Sequence, residues 1–214
     1  MNGDEPVKCR PSVLQSLNCD GRRGLSLLLV CAGLLLPTLG GPWLTAILRY
    51  ERTAIGAGEG WRLLTGHFVH LDLQHAVLNS IGLCLLWTLF AGFFRVGEAL
   101  FILLLSGASI DAGFWLLDPQ LQWYVGASGV LHGLMAAGTL QLLRIRDRIA
   151  WPTLVLFLAK LTWEQVQGPL PLETKGPVVV NAHLYGAVGG LVAGMLLWAR
   201  VAIMRVLQHR VEHD

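Results

Sequence analysis

The sequence predicts an all-α membrane protein: a bundle of six transmembrane helices with both ends of the chain in the cytoplasm. Three observations carry this. The 214 residues are 54% hydrophobic and only 14% charged, where a soluble domain carries about 25%. The charges cluster between long apolar runs, and the mean hydropathy is +0.56. The Lys and Arg residues are also distributed unequally between the two ends of those runs. A formal net charge of +2 gives no basis for a nucleic-acid partner.

A spanning helix needs about 20 mainly apolar residues. The N-terminal tail, residues 1–24, is polar and lacks the short basic start of a signal peptide. The apolar run from Leu25 has no small-residue cleavage site behind it, so it reads as a retained first helix over 25–47. Pro37, Gly40, Gly41 and Pro42 interrupt that run and predict an irregular end. The remaining spans read as 67–90, 98–117, 127–143, 150–167 and 181–201, the fifth containing Lys160 and Glu164. The expected organisation is a membrane domain over 25–201 between cytoplasmic tails 1–24 and 202–214.

Orientation follows from the cations. An inside N-terminus puts Lys8, Arg10, Arg22, Arg23, Arg95, Arg144, Arg146, Arg148, Arg200, Arg205 and Arg210 on the cytoplasmic side. Arg49, Arg52, Arg62 and Lys175 fall on the other side. Cys9, Cys19, Cys31 and Cys84 have no CxxC spacing and read as free thiols.

In this topology the polar residues inside the spans agree in depth. Ser128, in "WYVGASGVLHG", lies near the non-cytoplasmic start of the fourth span, and His183 near that of the sixth. His75 and Asn79, four apart and on one face, enter the second from the same side. A serine becomes a nucleophile when a nearby base takes its proton, and a neutral imidazole is suited to the task. Contact between the fourth and sixth helices would pair Ser128 with His183. Stripes of small residues at four-residue spacing favour that contact: Gly129, Gly133 and Ala137 on one helix, Gly186, Gly190 and Gly194 on the other. Acyl transfer also needs donors for the developing oxyanion. The backbone N–H at the start of the fourth helix and the side chains of His75 and Asn79 are candidates.

"WRLLTGHFVHLDLQHAVLN", with its Trp61–Arg62 pair and HxxxN motif, resembles the first loop and second helix of rhomboid intramembrane serine proteases. "GASG", from Gly126 to Gly129, resembles their GxSG nucleophile motif, and "AHLYGAVGG" their HxxGxxxG sixth helix. The resemblance covers the six spans in order, roughly 25 to 200. It implies Ser128 as nucleophile, His183 as base in a Ser-His dyad, and an oxyanion site made of His75, Asn79 and the Ser128 amide. Gly126, Gly129, Gly186, Gly190 and His132 would support them. "VGASGVLHGL" together with "KLTWEQVQG" is similar to the rhombosortase branch. That branch implies a bacterial inner membrane, a site toward the periplasm, and exported substrates with a C-terminal Gly-Gly sorting tail. Many rhomboids carry a tyrosine four residues after the serine. Here the residue is His132, one turn deeper than Ser128 on the same face.

Blander readings stand beside these. Ser128 alone would more often be a helix-packing serine, and His75 and Asn79 would serve as ties between helices. His67, His70 and His75 raise a zinc question, but their spacing does not stack them on one face and no carboxylate pair completes a site, so neither a metal nor another cofactor is expected. His70 is expected to hydrogen-bond within the first loop and Asp111 within the bundle. Lys160 and Glu164, four apart, read either as a structural ion pair or as a substrate-recognition pair. Trp61, Trp115, Trp123 and Trp198 fit an interfacial belt. Two rivals to a protease of sorting tails or of other transmembrane substrates remain. A silent rhomboid-like binder would lack the serine or histidine, and neither is missing. A transporter would show inverted repeats, which are not evident.

Overall fold

A computed structural model describes residues 22–90, 92–169 and 178–211. Cys9, Cys19, Lys8, Arg10 and Lys175 lie outside the described residues, with most of the predicted N-terminal tail. Helices occupy all six predicted segments. The first is α1 (Arg22–Leu35), a 3₁₀ turn (Leu36–Gly40) and α2 (Gly41–Leu48). The break falls at Pro37 and at Gly41, whose φ of 61° suits a residue without Cβ.

A folded loop follows, built from pieces too short to leave a periodic signal in the sequence. These are β1 (Tyr50–Glu51), α3 (Arg52–Gly56) and α4 (Arg62–Thr65). The long helices α5 (Leu73–Phe90) and α6 (Val96–Leu116) come next, then β2 (Trp123–Tyr124). Three more helices follow among the described residues: α7 (Ser128–Arg144), α8 (Ala150–Gln167) and α9 (Asn181–Val211).

Two predicted limits are corrected. The second helix starts at Leu73 and not at 67, because Asp72 accepts the His75 N–H at 2.7 Å and so caps the first turn. Helix α9 runs past 201 to Val211, since no Gly or Pro stops the apolar stretch Val201–Met204.

Among the described residues, four stretches are long and apolar enough to cross a membrane: Gly24–Leu48, Leu73–Phe90, Val96–Leu116 and Asn181–Met204. Helix α7, at 17 residues, is shorter, and α8 carries Lys160 and Glu164. Helix α7 is the axis of the bundle, packed against α9, α6, α5 and α8. The outer faces of the other helices expose Leu28, Leu29, Leu85, Leu156 and Leu196, a surface suited to lipid and not to water.

The small-residue stripes bring α7 and α9 into backbone contact. A Cβ on Gly186 would strike the Gly129 carbonyl, and one on Gly190 would strike that of Gly133. The ladder β1–β2 pairs Tyr50 with Tyr124 and Glu51 with Trp123, antiparallel. It ties the loop to the segment that leads into α7. Arg62, buried, caps α2 by donating to the carbonyls of Ala46 at 2.9 Å and Arg49 at 3.0 Å, and also binds Glu59. Arg52 does the same for the end of α6, bonding the Asp118 and Phe114 carbonyls and covering Trp115. Trp123 and Trp198 likewise lie under Arg49 and Arg144.

Candidate active site

The approach to Ser128 is held rigidly. Gly126 adopts φ 124°, and its N–H donates to the Gly66 carbonyl at 3.0 Å. Its own carbonyl accepts from the buried Tyr124 hydroxyl at 2.7 Å. The missing side chain matters twice, because a Cβ at Gly126 would also come within 2.8 Å of the His75 ring. Ser128 is therefore the first residue of α7, with the unpaired N–H groups of a helix start beside its hydroxyl.

Contact between α7 and α9 sets Ser128 Oγ 2.8 Å from His183 Nε2. His183, almost wholly buried, sits in the first turn of α9. His132 lies one turn below Ser128 and stacks on the His183 ring, centroids 4.1 Å apart and planes 11° apart. Its Nδ1 is 2.7 Å from the Ser128 carbonyl and so carries a proton to donate there. On the far edge, His183 Nδ1 is 2.8 Å from a carboxylate oxygen of Glu164. The other oxygen of Glu164 is ion-paired with Lys160.

His75 and Asn79 share with Ser128 and His183 a cavity of about 480 Å³. Apart from these groups, His132 and Lys160, its walls are apolar, among them Leu78, Leu131, Met135, Leu156 and Phe157. His75 Nδ1 and Asn79 Nδ2 are buried without a hydrogen-bond partner. Buried polar nitrogens normally find partners, so these two stand out among the groups around the cavity.

The sequence singles out two residues beside the site for hydrogen bonding. His70 meets the edge of His75, 4.9 Å between centroids, and its ring faces the backbone of Leu34 and Phe68. Burial first and His75 second pull its pKa down to about 4. Asp111, within the bundle as expected, faces His67, with 3.5 Å between its Oδ1 and the His67 Nε2. His67 thus turns toward Asp111 and Tyr124 while His70 turns toward His75, and the three histidines of the zinc question do not converge.

Among the described residues, the group with metal-ligand spacing is His132, Glu164 and His183. Both nitrogens of His183 and both oxygens of Glu164 already have partners, so an ion there would displace the Ser128 contact, the His183–Glu164 contact or the ion pair. The contact of Glu164 with His183 was not read from the sequence, although a signal existed. A fifth helix antiparallel to the fourth would end on the side where the fourth and sixth begin, which sets the last turn of α8 at the depth of Ser128 and His183 without fixing which face it turns to them.

A family model described as Rhomboid domain matches residues 57–200. The chain is 25% identical over 158 residues to the Bacillus subtilis (strain 168) protein named "Putative rhomboid protease YdcA", covering 72% of this chain and 75% of that one. It is 25% identical over 159 residues to Rhomboid protease GluP of the same organism, covering 72% of this chain and 28% of GluP. To Rhomboid-like protease 5 of Toxoplasma gondii it is 32% identical over 140 residues, covering 64% of this chain and 16% of that protein. The chain thus spans three quarters of the first relative and less than a third of each of the others.

Proposed function

The chain belongs to the rhomboid family, and from that premise we propose that it is a six-span serine protease that cuts peptide bonds within the membrane. The observation that carries the chemistry is the 2.8 Å contact of Ser128 with His183 across two helices. His183 Nε2 takes the hydroxyl proton as Ser128 Oγ attacks the scissile carbonyl. The developing oxyanion accepts from the Ser128 N–H and from His75 and Asn79, whose buried nitrogens lack partners. The tetrahedral intermediate collapses as His183 returns the proton to the leaving amine, which frees the C-terminal fragment. An acyl-enzyme on Ser128 remains. Water, or an amine, attacks it with His183 again as base, and the hydroxyl is restored.

The substrate we infer is an exported protein with a C-terminal Gly-Gly sorting tail, cut at the periplasmic face of a bacterial inner membrane. Support comes from the rhombosortase-like runs around Ser128 and Lys160–Gly168, and from the cations at the opposite end of α7. The physics agrees, since a glycine pair weakens a helix and bares its peptide bond. A second reading, cleavage of other transmembrane proteins, is favoured by relatives named simply as rhomboid proteases.

Co-expression with a tagged Gly-Gly-tailed substrate tests both. Ser128→Ala, accumulating normally, is expected to abolish cleavage, and persistent cleavage overturns the protease reading. A substrate with its glycine pair replaced by Leu-Leu should escape the wild type; if it is cut equally well, the second reading holds.

A further inference from the structure

His183 is held on three sides: Ser128 at Nε2, His132 against one face, and Glu164 at Nδ1. The Glu164 contact is the one that a Ser-His dyad does not require. To accept a proton from Ser128, Nε2 must carry the lone pair, so the resting proton must sit on Nδ1. A carboxylate only accepts hydrogen bonds. Facing Nδ1 at 2.8 Å, Glu164 therefore selects the tautomer that the reaction needs.

The energetics run the same way. Proton transfer creates an imidazolium where the His183 side chain is 2% exposed and that of Glu164 is 0% exposed. An unpaired charge there would be strongly unfavourable. Glu164 supplies the opposite charge on the spot. Lys160, one turn earlier on α8 and 30% exposed, balances Glu164 while His183 is still neutral. The carboxylate is then ionised before the reaction starts, which a buried acid without a cation would resist.

Resting on the Ser128–His183 reading, we propose that Glu164, balanced by Lys160, positions His183 and makes the reacting unit a Ser128–His183–Glu164 triad. Neither a helix tie nor a substrate-recognition pair requires the carboxylate to face Nδ1.

The test uses the purified full chain in detergent micelles with a Gly-Gly-tailed transmembrane substrate, measuring kcat, KM and thermal unfolding. Glu164→Gln keeps the size and loses the charge. Its kcat is expected to fall about 100-fold or more, with KM and Tm near wild type. Glu164→Asp, which retains the charge at shorter reach, is expected to recover part of the loss. A Glu164→Gln enzyme with kcat within about threefold of wild type overturns the triad, as does a loss that only tracks the folded fraction. If Glu164→Gln does not fold, Glu164→Asp decides: a lowered kcat at constant KM supports the triad, and wild-type kcat overturns it. Ser128→Ala separates the two claims. If it stays active, the nucleophile reading fails; if it is dead while Glu164→Gln is not, only the triad fails.

Discussion

Gly190 of α9 lies directly against the carbonyl of Gly133 in α7, with no room for a single carbon between them. This contact, repeated one turn up between Gly186 and Gly129, sets the separation of the helices that carry Ser128 and His183. Without a large hydrophobic driving force between helices in lipid, close packing of this kind is the main source of their association.

A side chain at Gly190 should therefore disrupt the bundle. Gly190→Leu is expected to cost several kcal/mol, beyond the ~1–3 kcal/mol usual for overpacking, because backbone must move. Gly56→Ala, in open space, should stay within about 0.5 kcal/mol of wild type. Thermal unfolding in detergent compares them, and a wild-type Tm for Gly190→Leu contradicts the packing.

Asn79→Ala and His75→Ala address the oxyanion. Each removes a donor that the substrate's ground state does not need, so kcat should fall by about 100-fold while KM changes little. Steady-state kinetics on folded protein checks this. If Asn79→Ala retains wild-type kcat, Asn79 is a tie between helices and not a donor.

Acid should weaken the fold through His70. Its pKa in the folded protein is about 4, against an ordinary 6.5. Between those values the unfolded chain binds the extra proton, so stability is full above about pH 6.5 and is lost as pH falls toward 4. The loss is on the order of 3 kcal/mol. His70→Gln should flatten this dependence in melts recorded from pH 7 to pH 4. Parallel curves for the two proteins would assign the acid sensitivity elsewhere.

Much of this was legible in the apolar runs, because lipid demands about 20 such residues per crossing and leaves little freedom in where helices fall. The boundary at Asp72 was readable as a cap, but the apolar residues before it masked the signal. The local structure of the loop from Tyr50 to Thr65 was not legible: a two-residue strand and helices of five and four residues carry no period, and its order comes from Arg52 and Arg62 reaching distant carbonyls. The glycine stripes foretold the contact of α7 with α9. Glu164 was visible as a buried charge paired with Lys160, and its approach to His183 depends on how α8 is rotated, which a single sequence does not encode in any local pattern.

The central claim is that Ser128 is activated by His183. Labelling purified protein in micelles with a fluorescent fluorophosphonate tests it most directly, because the reagent reports an activated serine without any assumption about substrate. Wild type is expected to label, and folded Ser128→Ala and His183→Ala are not. Labelling of Ser128→Ala at the wild-type rate, or of His183→Ala, would contradict the account, as would a folded wild type that neither labels nor cleaves.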